Sequence, residues 1–361
     1  MGLAKQFTHT QRRDFCLSAV SLLLVVVFLY HTQSGKTVGI YEVRILNLCA
    51  IYAVLGLSMN LVNGFTGLFS LGQAGFMALG AYVTTLLFMS PADKAMVFYL
   101  EPIVPWLGAL QMPFFFALII GGLVSAGAAF LIGFPVLRLR GDYLAIATLG
   151  FSEIIRVIFT NLQTITNGAL GIKKIPPTAN LWWTMGTLAL VVVFLVRLMH
   201  GSYGRALKAI REDEIAAESM GIGLFRHKMM SFVISGFIAG VGGGLLASVV
   251  GAINPLLFRF VLAYDILLIV VLGGMGSITG TVISAFIITI AKEWLRFLDS
   301  GFSLGPIVIP EIAGLRMVVF SALLMMVILF FRRGLMGNKE FNWNMIIPKV
   351  KKPAIKGGDS A

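Results

Sequence analysis

The sequence predicts an all-α polytopic membrane protein with about ten transmembrane crossings, some of them built from broken helices. Three observations carry this expectation. Of the 361 residues, 58% are apolar and only 12% are charged, whereas a soluble domain carries about 25% charged residues. Apolar runs approaching the ~20 residues that a spanning helix needs recur along the whole chain. The 40 glycines suit close helix packing and interrupted helices inside a bilayer.

The predicted spans cover residues 15–30, 45–62, 72–89, 113–137, 143–162, 182–199, 229–251, 262–295 and 314–331. Lys5, Arg12 and Arg13 precede the first run, in the manner of a signal peptide. His31 to Gly35 offer no small-x-small cleavage site, so the run reads as an uncleaved first span. Basic residues stay on the cytoplasmic side, which puts segment 1–14 inside. Alternation then puts the stretch 90–112, with Asp93, Lys94 and Glu101, outside. It puts Arg138, Arg140 and the segment 200–228 inside. The run 262–295 is too long for one crossing: 34 residues at 1.5 Å rise make a helix of about 50 Å against a core of about 30 Å. Gly273, Gly274, Gly276 and Gly280 are breakers inside it. Two crossings there return the basic tail 332–361 to the cytoplasm. The prediction is a transmembrane domain over 15–331, with both termini inside and a poorly ordered tail.

Other function classes lack their residues. The net charge of +12 sits in tails and short loops; no basic face or reader motif points to nucleic acid. Cys16 and Cys49 lie in apolar runs without ligand-spaced partners, so no metal or cofactor is expected. His9, His31, His200 and His227 lie outside the spans and lack a partner at i+3 or i+4. There is no phosphate-cradling G-x-x-x-x-G-K-[ST]. No catalytic constellation is visible, so an enzyme is not expected.

Four stretches stand out. The glycine-rich run Asn63 to Phe76 contains Gly67, Ser70, Gly72 and Gln73. It reads either as a broken helix on a substrate path or as a short turn before a glycine-packed helix. Its Gly67-Leu-Phe-Ser70-Leu echoes Gly274-Met-Gly-Ser277-Ile, an internal repeat of a kind transporters use. Glu153 and Arg156 share a helix face and pair, either beside a cavity or as a self-neutralised structural pair. Asp265, Lys292 and Glu293 read as interfacial residues at the outer surface. Lastly, Gly204 to Gly221 holds seven charged residues among apolar spans: Arg205, Lys208, Arg211, Glu212, Asp213, Glu214 and Glu218. It reads as one short helix ended by Gly221. Its small face, with Ala206, Ala209, Ala216 and Ala217, suits a protein partner better than lipid.

That stretch, Gly204-Arg-Ala-Leu-Lys-Ala-Ile-Arg-Glu-Asp-Glu-Ile-Ala-Ala-Glu-Ser-Met-Gly-Ile222, resembles the ATPase-contacting loop of LivM-type permeases, the membrane subunits of branched-chain amino acid ABC importers. The resemblance extends over about 40–335. It includes Gly67 to Phe76, Leu137 to Phe151 and Val271 to Ser277 in that order. The general importer signature is Glu-Ala-Ala, three residues, then Gly. Ala216, Ala217 and Gly221 match it, while Ile215 holds the acid's place with Glu214 just before. The resemblance implies a type II ABC importer permease in the plasma (inner) membrane. Its partners would be two ATP-binding subunits inside, a second related permease, an extracytoplasmic substrate-binding protein, and membrane lipid. It implies ATPase coupling through Gly204, Arg205, Glu214, Ala216, Ala217 and Gly221. Candidates for the substrate path are Gly67, Ser70, Gly72, Gln73, Glu153, Gly273, Gly274 and Gly276. A urea or short-amide importer is the nearest alternative. An ion-coupled secondary transporter is the alternative of another class, and it would call for more buried acids than Glu153 and Asp265.

Overall fold

The structure, a computed structural model, describes residues 39–139, 141–296, 302–304, 307–309, 314–330, 334–337 and 340. The expected segment 1–14, the span 15–30 and most of the tail lie outside the described residues. The fold is helical. In chain order come α1 (Ile40–Asn60, prolonged by a π turn over Leu61–Phe65), α2 (Gln73–Phe88), α3 (Phe114–Val136), α4 (Asp142–Asn161) and α5 (Leu181–His200). Then follow α6 (Ser202–Glu212), α7 (Glu214–Ser219), α8 (Leu224–Val250), α9 (Phe260–Gly273), α10 (Ile278–Trp294) and α11 (Leu315–Phe330). Strands β1 (Phe302–Leu304) and β2 (Ile307–Ile309) form a small antiparallel pair between α10 and α11. Among the described residues, five stretches are long and apolar enough to cross a bilayer: Ile40–Phe65, Phe114–Val136, Tyr143–Asn161, Leu181–His200 and Leu224–Val250. The chain is thus a multi-pass membrane protein.

Burial orders these helices. The apolar stretches of α1 and α8 are 78% and 72% buried, against 28–33% for α3, α4 and α5. So α1 and α8 form the centre, and the others present a face outward. In lipid no hydrophobic force draws helices together, and packing and interhelical hydrogen bonds must do it. Both are present. A Cβ on Gly80 of α2 would lie 2.1 Å from the Gly240 carbonyl oxygen of α8, so only glycine permits this approach. Ser58 of α1, Gln73 of α2 and Ser235 of α8 form a buried knot: Gln73 Nε2 donates to Ser235 Oγ at 2.6 Å, and Ser235 Oγ donates to the Ser58 carbonyl at 2.8 Å. Cys49 is fully buried in α1, as a small hydrophobe would be.

The run 262–295 turns back on itself. Gly274 and Gly276, at φ +107° and +91°, form the turn. A Cβ on Gly273 would lie 2.6 Å from Gly280, Ser284 Oγ donates to the Ile269 carbonyl at 2.6 Å, and Lys292 Nζ meets Asp265 Oδ1 at 2.6 Å. These pairs march apart along an antiparallel hairpin of α9 and α10. Its 14- and 17-residue arms are about 21 and 26 Å long at 1.5 Å rise. The tail departs from expectation where it is described. Leu335 N and Met336 N donate to the carbonyls of Leu272 and Gly273, so part of it is docked on the hairpin turn.

Candidate functional site

Three irregular segments gather at one end of the bundle, here called the break end. The first follows the π turn of α1. Residues 66–72 are not helical, yet Thr66, Leu68, Ser70 and Leu71 are buried. Buried backbone must find partners, and here most come from nearby side chains. Asn63 Oδ1 accepts from Ser70 N at 3.2 Å, and Asn63 Nδ2 returns a bond to the Ser70 carbonyl at 3.1 Å. Thr148 Oγ1 of α4 accepts from Leu71 N at 3.0 Å, and Leu68 N reaches the Val62 carbonyl at 3.0 Å. The break over 66–72 is enclosed by protein, as non-helical backbone at depth must be, and the helix that follows it packs through Gly80 on Gly240; both features of the sequence readings are present, and neither shows a substrate path.

The second segment is the α9–α10 turn, and it lies against the first. Asn60, at the end of α1, accepts from Gly276 N at 2.8 Å and donates to the Ser277 carbonyl at 2.9 Å and to Thr281 Oγ1 at 2.8 Å. The two echoing glycine-serine motifs are therefore neighbours in space. Ser277 Oγ caps α10 by accepting from Gly280 N. Glu340 adds its carboxylate, accepting from Ile278 N at 2.7 Å and Thr279 N at 3.2 Å, where the helix dipole favours a negative charge.

The third segment is α6–α7, and here the single-helix expectation is corrected. Asp213 takes an extended conformation (φ −155°, ψ 114°) and splits the stretch in two. Its carboxylate caps α7, accepting from Ile215 N at 2.8 Å and Ala216 N at 3.0 Å. An Asp at this position competes with the helix and favours a cap. Gly221 ends α7 at φ +82°, and Ile222 N returns to the Ala217 carbonyl at 3.1 Å.

The expected coupling residues divide. Arg205, Ala216 and Gly221 are exposed. Arg205 bonds the His200 carbonyl and Ser202 Oγ at the start of α6. Gly204 is buried; a Cβ there would lie 2.4 Å from Met199 Cα. Ala217 is buried, and Glu214 is held by Lys228 Nζ at 2.6 Å. These three face their own chain. In exchange, Ile215 and Met220 stand out at 76% and 83% exposure, an apolar pair on a polar segment that composition alone does not single out.

Arg211 joins all three segments. Its Nη1 donates to the Gly64 carbonyl of the π turn at 2.7 Å and approaches the Met275 carbonyl of the hairpin turn at 3.5 Å. A Cβ on Gly276 would lie 2.5 Å from that nitrogen, and one on Gly67 3.0 Å from Arg211 Cγ. The glycines make room for the arginine. Sequence reading left Arg211 within a charged run, since its partners are far away in the chain. The clue was present in glycines placed where a close neighbour is needed.

The remaining path candidates are engaged by their own chain. Ser70 lies in the Asn63 loop, Gly72 beside Thr148, Gln73 in the serine knot, Gly273 against Gly280, and Gly274 against Gly337. Glu153 Oε2 pairs with Arg156 Nε at 2.6 Å with both side chains partly buried. Gly276 also lines a cavity of about 460 Å³ at the break end, with Phe65, Met199, Arg211, Thr279 and Glu340. Among the described residues no His, Cys, Asp and Glu group could hold a metal ion.

A bundle of apolar helices, two broken helices and an exposed helix pair together suit a permease, and comparison with known proteins decides the family. The family described as branched-chain amino acid transport system / permease component matches residues 41–330. The chain belongs to that family. It is 39% identical to the high-affinity branched-chain amino acid transport system permease protein LivM of Salmonella typhimurium, over 81% of this chain and 74% of that one. It is 39% identical to LivM of Escherichia coli, over 78% and 68%. It is 25% identical to the related permease protein LivH of Escherichia coli, over 87% and 97%. No solved structure matches significantly.

Proposed function

We propose that this chain is the membrane-spanning subunit of an ATP-driven importer of branched-chain amino acids, with ATP hydrolysed by partner subunits. The observation that carries the mechanism is Arg211, which ties the exposed α6–α7 pair to both helix breaks. A partner ATPase docked on Ile215, Ala216, Met220 and Gly221 pushes on α6–α7 when it closes on ATP. Arg211 passes that displacement to the Gly64 turn and the Met275 turn at once. Gly204, Glu214 and Ala217 keep the helix pair rigid from behind, and Arg205 fixes its entry. Rigid elements with two packings then alternate access.

The same reading supplies the topology. Nine described helices, α1 to α5 and α8 to α11, with the span at 15–30 make about ten crossings of the type II kind. The break end is cytoplasmic, as are both termini. Support comes from Arg138, Arg205, Lys208 and Arg226, all exposed on connections at that end. A second related permease and an external binding protein complete the complex.

The test is ATP-driven uptake by the reconstituted complex, with leucine competing against urea. Leucine accumulation that needs ATP and the ATPase subunits supports the proposal. Preferred urea uptake moves the protein to the short-amide importers, and uptake driven by an ion gradient without ATPase subunits refutes the ATP-coupled reading.

A further inference from the structure

At the end of the bundle opposite the breaks, α1, α8, α9, α10 and α11 enclose a cavity of about 480 Å³. Small-molecule sites span about 300–1,000 Å³ and are apolar with a few convergent polar groups. This one fits that description. Leu246, Leu262 and Ile288 are among its apolar walls, and Asp265, Lys292 and Glu293 line it too. Lys292 Nζ lies 2.6 Å from Asp265 Oδ1 and 5.1 Å from the Phe320 ring centroid. Glu293 accepts from Tyr41 Oη and Arg296 Nη1. The Asp265 and Lys292 side chains remain 32% and 33% exposed, so the pair is not sealed. Ionised groups within spanning helices are expensive and mark a substrate path by default. The break end has charges too, but its Arg211 and Glu340 are bonded to backbone.

We propose that this cavity is the entry-side binding site for a zwitterionic amino acid with an aliphatic side chain. The Asp265–Lys292 pair opens to receive the head group. The α-carboxylate turns to the Lys292 ammonium, the α-ammonium to the carboxylates of Asp265 and Glu293, and the side chain to the apolar wall. The proposal rests on the importer reading and adds to it the place where substrate first binds the permease. A phosphatidylethanolamine head carries the same two charges, but its two long chains exceed the cavity.

The experiment uses the permease and ATPase complex in vesicles of phosphatidylglycerol alone or mixed with phosphatidylethanolamine, without the external binding protein for leucine binding and with it for uptake. Radiolabelled leucine binding and uptake are measured for the wild type, Asp265→Asn, Lys292→Met, the double neutral variant, and the exchanged Asp265→Lys/Lys292→Asp. Subunit recovery and melting temperature report folding separately. Each neutralisation is expected to raise the leucine concentration for half-maximal binding about tenfold or more. 4-Methylpentanoate, which lacks the ammonium group, should compete poorly with leucine. Restoration of leucine affinity by the exchanged pair would make it a structural brace and overturn the proposal. If the exchanged protein fails to fold, unchanged leucine affinity in the double neutral variant overturns it equally. A neutralisation effect confined to phosphatidylethanolamine vesicles would make the cavity a lipid site and overturn it as well. Absence of ATP-driven leucine uptake by the wild type would refute the importer reading instead, and leucine binding to the complex still decides the cavity.

Discussion

At its two ends this bundle engages particular charges differently: Arg211 and Glu340 bond backbone, whereas Asp265 and Lys292 bond each other. At the break end, polar side chains bond backbone. Asn60, Asn63, Arg211, Ser277 and Glu340 each meet main-chain groups of the broken segments. Toward the opposite end, Asp265 and Lys292 meet each other across a cavity. The buried Tyr82 hydroxyl, between Phe159 and Phe258, and Thr85 Oγ1 have no hydrogen-bond partner among the described residues. The difference follows from what each end contains. Broken helices expose N–H and C=O groups that a bilayer cannot satisfy, so side chains must. The helices α9 and α10 are unbroken where Asp265 and Lys292 sit and satisfy their own backbone there, although the nearby connections use Lys94, Asn167 and Ser248. In the proposed function, one end moves as a unit and the other binds.

That contrast is open to direct attack, and the strongest attack is at Arg211. Arg211→Ala should cut ATP-driven leucine uptake at least about tenfold, since a charged hydrogen bond is worth about 1.5–3 kcal/mol. The ATPase subunits should still co-purify, because Ile215 and Met220 are untouched. Normal uptake would remove Arg211 from the coupling path. Next, Asn60→Leu leaves Gly276 N and the Ser277 carbonyl without their side-chain partner. It should cost on the order of 2–4 kcal/mol, read as a lower melting temperature in detergent. A smaller, local effect is expected for Ile215→Asp: weaker recovery of ATPase subunits in a pull-down, with melting unchanged. At the cavity end, the double variant Asp265→Asn/Lys292→Met should alter melting by no more than about 1 kcal/mol, because losing both partners of a half-exposed pair is nearly neutral. A loss as large as that of Asn60→Leu would abolish the distinction between the ends. Smallest of all, Tyr82→Phe removes a hydroxyl that lacks a partner and should stabilise by about 1 kcal/mol.

Much of this was legible in the residues. Long apolar runs have one solution in a bilayer, so the helices and their order could be read directly. The glycines at 273–280 announced the hairpin because a helix of that length does not fit. Gly221 announced the end of α7. The split at Asp213 was hidden because its neighbours are strong helix formers, and a capping carboxylate competes with them only by about 1 kcal/mol. Gly204, Glu214 and Ala217 belong to the motif, but which way each turns depends on Met199 and Lys228, and no motif states that.

By itself, the sequence determined the class of molecule, the order of its long apolar helices, and the charged segment between α5 and α8. These follow from hydropathy, glycine placement and charge, all of which act locally along the chain. Only the tertiary structure decided that the π turn before the first glycine-serine break meets the second, that Arg211 reaches both turns, and that Asp265 and Lys292 share a cavity. Arg211 and Gly64 are 147 positions apart, and Asn60 and Gly276 are 216 apart. Such pairings depend on how helices stack, and in lipid that stacking is set by close fit and hydrogen bonds between helices, not by hydropathy.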